Sequence, residues 1–155
     1  MERVKGKLKG MDFKVGVVTA EFNSDVTFKL EKGALDEFEK LGLEDVVAVR
    51  VPGAFEIPLA VKSLLDHGCE AVVALGAVIR GETSHYDYVC NAVERGCSQL
   101  QIDYGKPIGF GILTTENEEQ AMDRAGGKHG NKGAEAARVV VEMVSLLEQI
   151  EHVQE

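Results

Sequence analysis

The chain has no tryptophan, only three prolines and only three cysteines in 155 residues. Cys69, Cys90 and Cys97 are odd in number and form no C-x-x-C pair, which excludes a disulfide scaffold. They read as thiols used for packing. His67, His85, His129 and His152 are dispersed, with no H-x-x-x-H pair and no mixed His/Cys cluster, so no metal site is expected. No apolar run approaches the roughly 18 residues of a membrane span. The basic N-terminus leads into no apolar stretch of signal-peptide length, and the expected location is the cytoplasm. Positive charge is also scarce. Seventeen Lys and Arg stand against 26 Asp and Glu, a net charge of −9, which argues against a nucleic-acid partner read through its phosphates.

What basic charge there is lies unevenly. Arg3, Lys5, Lys7, Lys9 and Lys14 crowd the start, against Glu2 and Asp12. The end carries Glu142, Glu148, Glu151 and Glu155 with no Lys or Arg. With 45% apolar and 28% charged residues, the chain has the composition of an ordinary folded domain, long enough to bury a core without staples. We read residues 1–155 as one domain, with residues 1–12 as an N-terminal arm.

Short β-branched runs alternate with helical periods. Phe13–Thr19 reads as a strand. Asn23, Ser24 and Asp25 are all good N-caps for a helix whose apolar face is Val26, Leu30, Ala34, Phe38 and Leu41, ended by Gly42. Asp45–Val51 is a second strand, closed by Pro52-Gly53. A helix from about Glu56 to His67 follows, tolerating Pro58 in its first turn. Ala71–Ile79 is apolar throughout, the mark of a central parallel strand buried on both faces. Residues 85–104 read as a helix, Ile108–Thr114 as a fourth strand, and a short acidic helix starts near Asn117. A Gly-rich break, Gly126–Gly133, leads into a last helix to about Ile150. Four β-α units predict an α/β fold: a three-layer α/β/α sandwich around a four-stranded parallel sheet.

Ligands of open parallel sheets bind beyond the carboxyl ends of the strands. Three of the segments there are unusual for plain loops. Phe22 is either a hydrophobic staple across a helix start or a stacking platform for a flat heterocycle. Glu56 either complements a helix dipole or accepts from ligand hydroxyls. Gly81-Glu82-Thr83 precedes a helix start, where outward N–H groups attract an anion such as phosphate. His85 stands at the same place, and histidine is the side chain that exchanges protons near neutral pH. It is either an exposed surface residue or the proton carrier of an elimination or transfer. Gly126–Gly133 has the look of a phosphate cradle, but no G-x-x-x-x-G-K-[ST] motif exists. Gly109 and Gly111 lack the third glycine of a dinucleotide fingerprint, which disfavours NAD.

Taken together, Val51–Pro58 (V-P-G-A-F-E-I-P), Ala74–Val89 with Arg80-Gly81-Glu82-Thr83-Ser84-His85 at its centre, Pro107–Thr115 and Arg124–Gly133 (R-A-G-G-K-H-G-N-K-G) resemble the lumazine synthase family in order, spacing and total length. The resemblance runs from about Val15 to Leu147. It implies a flavodoxin-like fold. It also implies condensation of 5-amino-6-ribitylaminouracil with 3,4-dihydroxy-2-butanone 4-phosphate to 6,7-dimethyl-8-ribityllumazine, the penultimate step toward riboflavin, with neither metal nor organic cofactor. By that likeness, Phe22 stacks on the pyrimidine. Ala54, Phe55 and Glu56 hold the ribityl chain and ring edge, and Ala77, Val78 and Ile79 offer backbone groups to the pyrimidine. Glu82 and Thr83 bind phosphate through N–H groups, aided by Arg124, and His85 moves protons. Phe110 and Lys132 reach in with Arg124 from a neighbouring subunit. Position 82 is often alanine in the family, so only the N–H of Glu82 suits the role.

The resemblance further implies ring pentamers, which some members close into an icosahedral shell of twelve, with riboflavin synthase as a candidate partner. The uninterrupted turn before the last helix favours the shell. The arm is expected to pair with a neighbour's sheet edge. Three other readings compete. An archaeal-type riboflavin synthase would have no use for the phosphate loop Gly81–His85. An inert shell-forming assembly protein would not need Phe22, Glu56, His85 and Arg124 together. A flavodoxin-like flavin carrier would copurify yellow.

Overall fold

The computed structural model describes residues 1–153. Glu155, counted above in the acidic end, lies outside them. The elements run β1 (Val15–Ala20), α1 (Ser24–Lys40), β2 (Val46–Val51), a 3₁₀ turn (Ala54–Glu56), α2 (Ile57–Asp66), β3 (Ala71–Ile79), α3 (His85–Tyr104), β4 (Ile108–Thr115), α4 (Glu118–Asp123), β5 (Ala125–Gly127), β6 (Gly130–Asn131) and α5 (Lys132–Glu151). β1 to β4 form one parallel sheet in the order β2-β1-β3-β4. The apolar strand β3 lies inside it and is buried along nearly its whole length, as its lack of polar alternation predicts. The chain is the expected three-layer, flavodoxin-like α/β fold. Val15, Val17, Val73 and Leu75 face α1 and α5, while Val18, Val72, Ala74 and Ile112 face α2 and α3.

The apolar face predicted for α1 is the buried one: Val26, Leu30, Ala34, Phe38 and Leu41 all lie in the core. Gly42, at φ 85°, takes the left-handed position after the helix, and the Leu43 N–H returns to the Phe38 carbonyl at 3.0 Å. That bond closes a Schellman motif and satisfies one of the helix's orphan carbonyls. At the other end Asn23 does not cap the helix through its side chain. It lies in the left-handed region (φ 63°, ψ 43°), with its side chain turned elsewhere. α2 begins at Ile57, within a residue of expectation, and Ala54–Glu56 winds as a 3₁₀ turn before it. Pro58 sits in the first turn of α2, where its missing N–H costs nothing.

Two charged residues of α1 are drawn into the interior by partners. Glu31 receives Arg50 of the edge strand β2 through Nη2 at 2.8 Å and Nε at 3.3 Å, and the same guanidinium stacks on Phe28 at 3.9 Å. Arg50 holds the Glu31 carboxyl below the usual carboxylate range, against the upward pull of burial. Glu37 is likewise buried and takes Arg138 of α5 at 3.1 Å. Burial pushes the Cys97 thiol up to about 12, as befits a packing cysteine.

The glycines of β4 and α5 serve close packing. A Cβ at Gly109 would lie 2.7 Å from the Ala136 carbonyl oxygen of α5, and one at Gly111 would lie 2.6 Å from Leu75 Cδ2. The Gly-rich stretch, read from sequence as a break with the look of a phosphate cradle, holds the antiparallel β5–β6 hairpin. Gly126 and Gly130 supply its positive φ values (100° and 80°). Asn131 then ties the hairpin into the fold. Its Oδ1 accepts from the N–H groups of Gly133 and Ala134 at 2.8 and 3.1 Å, and its Nδ2 donates to the Lys29 carbonyl of α1 at 3.0 Å. Residues 1–14 form no strand. Residues 5–7 lie along α5, with the Lys7 N–H donating to Ser145 Oγ and Gln149 Nε2 donating to the Lys5 carbonyl.

Candidate active site

Strand order reverses between β1 and β3, and a cleft of about 810 Å³ opens at their carboxyl ends. The loop after β1 brings Phe22 there. The Glu21 and Phe22 N–H groups continue onto the Val51 and Pro52 carbonyls, so the loop extends the β1–β2 ladder before α1 begins. The Phe22 side chain is 72% exposed. A staple would be buried, whereas this ring is largely uncovered and open to a ligand. Phe55, at 64% exposed, stands in the same cleft from the 3₁₀ turn, above the buried Ala54. Glu56 precedes α2 and is exposed, with its Oε1 folded toward Gly53.

The end of β3 forms the cleft's floor. Ala77, Val78 and Ile79 all line it. β4 accompanies β3 as far as Ile79 opposite Thr115, whereas the β1 register stops at Thr19 opposite Leu75. The last residues of β3 therefore present backbone on the β1 side with no strand beside them.

Gly81, Thr83 and His85 line the cleft from the loop before α3; Glu82 does not, although it is exposed beside them. His85 is the first residue of α3 and is exposed, and its N–H donates to Thr83 Oγ1 at 3.3 Å. The Glu82 and Thr83 N–H groups have no backbone acceptor among the described residues. That leaves an anion-attracting pair at a helix N-terminus. Arg80 braces the base of this loop. Its Nε meets Glu116 Oε2 at 2.9 Å, its Nη2 stands 3.7 Å from Asp87 Oδ1, and its plane covers Tyr86 at 4.3 Å.

The remaining site residues gather elsewhere. Arg124 and Lys132 line a second pocket of about 380 Å³ along β4, α4 and the hairpin, together with Gln120, His129 and Glu135. The Lys132 N–H donates to the Arg124 carbonyl at 2.8 Å, which holds the two cations side by side across the hairpin. Arg124 Nη1 donates to the Gln120 carbonyl at 2.8 Å. The two pockets share no lining residue. Phe110 lines neither; it projects from the edge strand β4, 39% exposed. The structure thus brings Phe22, Ala54–Glu56, Ala77–Ile79, Thr83 and His85 into one cleft. Within one chain it does not bring Arg124, Lys132 or Phe110 to them.

Sequence reasoning passed over Asn23, Arg80, Tyr86, Tyr88 and Gln120, which line or brace these pockets. The signal for Asn23 was present in its residue type, since asparagine enters the left-handed region more readily than other side chains. Arg80 stood in the motif itself.

An aromatic, histidine-bearing cleft at the switch point of a doubly wound sheet, with a separate cationic pocket at the sheet edge, defines an α/β enzyme for a flat polar ligand and an anionic one. The family model for 6,7-dimethyl-8-ribityllumazine synthase matches residues 12–148. A curated relative, the 6,7-dimethyl-8-ribityllumazine synthase of Bdellovibrio bacteriovorus, is 61% identical over 137 residues, covering 88% of this chain and 76% of the relative. The chain belongs to the 6,7-dimethyl-8-ribityllumazine synthase family.

Proposed function

We propose that this chain is a transferase of riboflavin biosynthesis. It condenses 5-amino-6-ribitylaminouracil with 3,4-dihydroxy-2-butanone 4-phosphate, forming 6,7-dimethyl-8-ribityllumazine and releasing phosphate and water. The pyrimidine stacks on Phe22 and takes hydrogen bonds from the backbone at the end of β3, where Ile79 has no strand beside it on the β1 side. Ala54, Phe55 and Glu56 hold its ribityl chain. The ketone and the amine form a Schiff base with loss of water. His85 takes the proton whose departure lets phosphate leave, and the ribitylamino nitrogen then closes the ring on the remaining carbonyl with loss of a second water. The Glu82 and Thr83 N–H groups and Arg124 hold the phosphate, the guanidinium neutralising its charge as it departs. Much of the acceleration comes from holding two substrates together.

One observation supports this reading above the others: the cationic half, Arg124 with Lys132, is built apart from the aromatic half. Such a division suits a site completed between subunits, with Phe110, Arg124 and Lys132 serving a neighbour's Phe22 and His85. The assembly is then a pentamer, and the hairpin without insertion favours a shell of twelve pentamers. No described helix is long and apolar enough to cross a membrane, and the reading places the enzyme in the cytoplasm. Mixing the two substrates with the protein tests the reaction: lumazine absorbance and inorganic phosphate should rise in equal amounts. A protein that leaves both substrates unchanged refutes it. Light scattering at neutral pH tests the assembly, since an active monomer refutes the shared site.

A further inference from the structure

Asn23 stands between the two structural features on which pyrimidine binding depends. It follows Phe22 directly, and its side-chain Nδ2 donates to the Ala77 carbonyl at 2.9 Å, spanning 54 positions of sequence. It is also the only non-glycine residue at positive φ among the described residues. Asparagine tolerates that conformation but still does so at a cost, so the surrounding structure must hold it there.

The ladder explains what the bond does. Val72 and Arg80 donate to β4-side carbonyls, Pro107 and Thr115, at 3.1 and 2.8 Å. Residues of a strand alternate in the side to which they direct N–H and C=O. The odd-numbered residues of β3, Ala77 and Ile79 among them, therefore face β1. The β1 register has already stopped at Leu75. The next carbonyl, that of Ala77, receives the Asn23 amide in place of a strand N–H. The rung after it, at Ile79, is left for a ligand. In the same stroke the left-handed turn at Asn23 ends the β1 extension and sets the direction in which Phe22 leaves it.

We propose that Asn23 is a positioning residue for the pyrimidine. Its side chain acts as a substitute rung on Ala77, and so fixes the Phe22 ring against the free backbone edge at Ile79. This rests on the reaction proposed above, and deepens it by naming what sets the distance between stacking platform and hydrogen-bonding edge. Asn23→Asp tests it most cleanly, because aspartate keeps the shape and tolerates the backbone but presents an acceptor to the Ala77 carbonyl. Asn23→Gly keeps the backbone freedom and removes the tether, which covers the case in which the aspartate variant folds poorly.

Calorimetric titration with 5-amino-6-ribitylaminouracil should show binding weakened about five- to tenfold in each variant, the worth of one net hydrogen bond. The KM for the butanone phosphate should stay within about twofold. A Phe22→Ala/Asn23→Asp double variant should bind no more weakly than Phe22→Ala alone, since Asn23 acts through Phe22. Parental pyrimidine affinity in both Asn23 variants overturns the proposal, as do additive losses in the double variant. Turnover by the unmodified protein is measured alongside. Failure to form lumazine there refutes the reaction itself, whereas lumazine formation with unaltered binding in the variants refutes only the tether.

Discussion

Replacing Gly133 with alanine tests how the cationic half, proposed to bind phosphate, is held. Gly133 is the second residue of α5, beside Lys132, and faces α1 so closely that a Cβ would lie 2.1 Å from the Leu30 carbonyl oxygen. The same atom would lie 3.0 Å from Asn131 Oδ1, which is engaged as the cap of α5. Leu30 is fully buried within α1, so the obstacle is backbone and cannot swing aside. Reaching an ordinary contact of about 3.4 Å requires the start of α5 to retreat by roughly 1.3 Å. Overpacking of this kind costs about 1–3 kcal/mol, against at most about 1 kcal/mol gained from alanine's helix propensity. A net loss of about 1–2 kcal/mol lowers Tm by roughly 2–8 °C in a chain of this size.

The functional consequence is separable from the loss of stability. The retreat carries Lys132 with it, and with Lys132 the Arg124 carbonyl bonded to its N–H. A misplacement near 1 Å at a binding group can cost up to about 10²-fold in rate. Gly133→Ala should therefore raise the KM for the butanone phosphate strongly and leave pyrimidine binding near its parental value. Circular dichroism melts and the lumazine absorbance assay, with each substrate varied in turn, measure both effects. Gly81→Ala is the control for stability, since a Cβ there meets no atom within 4 Å and its φ is not positive. A Gly133→Ala protein with parental Tm and parental KM for the phosphorylated substrate would falsify the close-approach argument.

Three further perturbations bear on the site and its surroundings. His85→Ala should slow turnover by about 10²–10⁴-fold with pyrimidine affinity nearly intact; identical, flat rate profiles from pH 6 to 8 in parent and variant would remove His85 from proton transfer. Arg124→Ala should weaken the phosphorylated substrate by roughly 1.5–3 kcal/mol, seen as a selective rise in its KM, and equal losses for both substrates would make Arg124 structural. At the first turn of α4, the Asp25 carboxyl hydrogen-bonds Glu118 and repels its charge, raising the Glu118 carboxyl above its usual range. An acid raised in the folded state destabilises it once ionised, so the penalty is present above the raised folded value and absent below the ordinary one. Glu118→Gln should then raise Tm at pH 7 to 8 and leave it unchanged in acid, and a lowered Tm at pH 7 contradicts the repulsion.

The repeating elements were legible because burial writes itself into sequence period. β3 is buried from both sides and shows no polar residue; α1 is buried on one stripe and shows that stripe. α3 was bounded at both ends, by the loop before His85 and by Gly105 at φ 62°. The β5–β6 hairpin has no such period. Its strands are three and two residues long, and what fixes them is a single side chain, Asn131, reaching Lys29 across 102 positions of sequence. Glycine composition announces a turn there, but cannot say that Gly133 is glycine because Leu30 lies against it.

The site divides along the same line. Residues that share a cleft because they follow neighbouring strands were legible, since the sheet rule places Phe22, Glu56 and His85 together before any coordinate is known. Asn23 was read only as a helix cap, because a cap and a tether use the same residue type at the same place. What separates them is a partner far along the chain, Ala77, and a backbone turned to positive φ. Arg124 and Lys132 carry the converse lesson. Their residue types suit phosphate wherever they stand, and their backbones are bonded to one another, yet they open onto a pocket apart from His85. A single chain's sequence order cannot reveal that separation, and under the proposed shared site the contacts that complete it lie between copies of the chain. The strand order of the sheet determines the aromatic half, whereas the joining of the two halves rests, in the proposal, on the geometry of assembly.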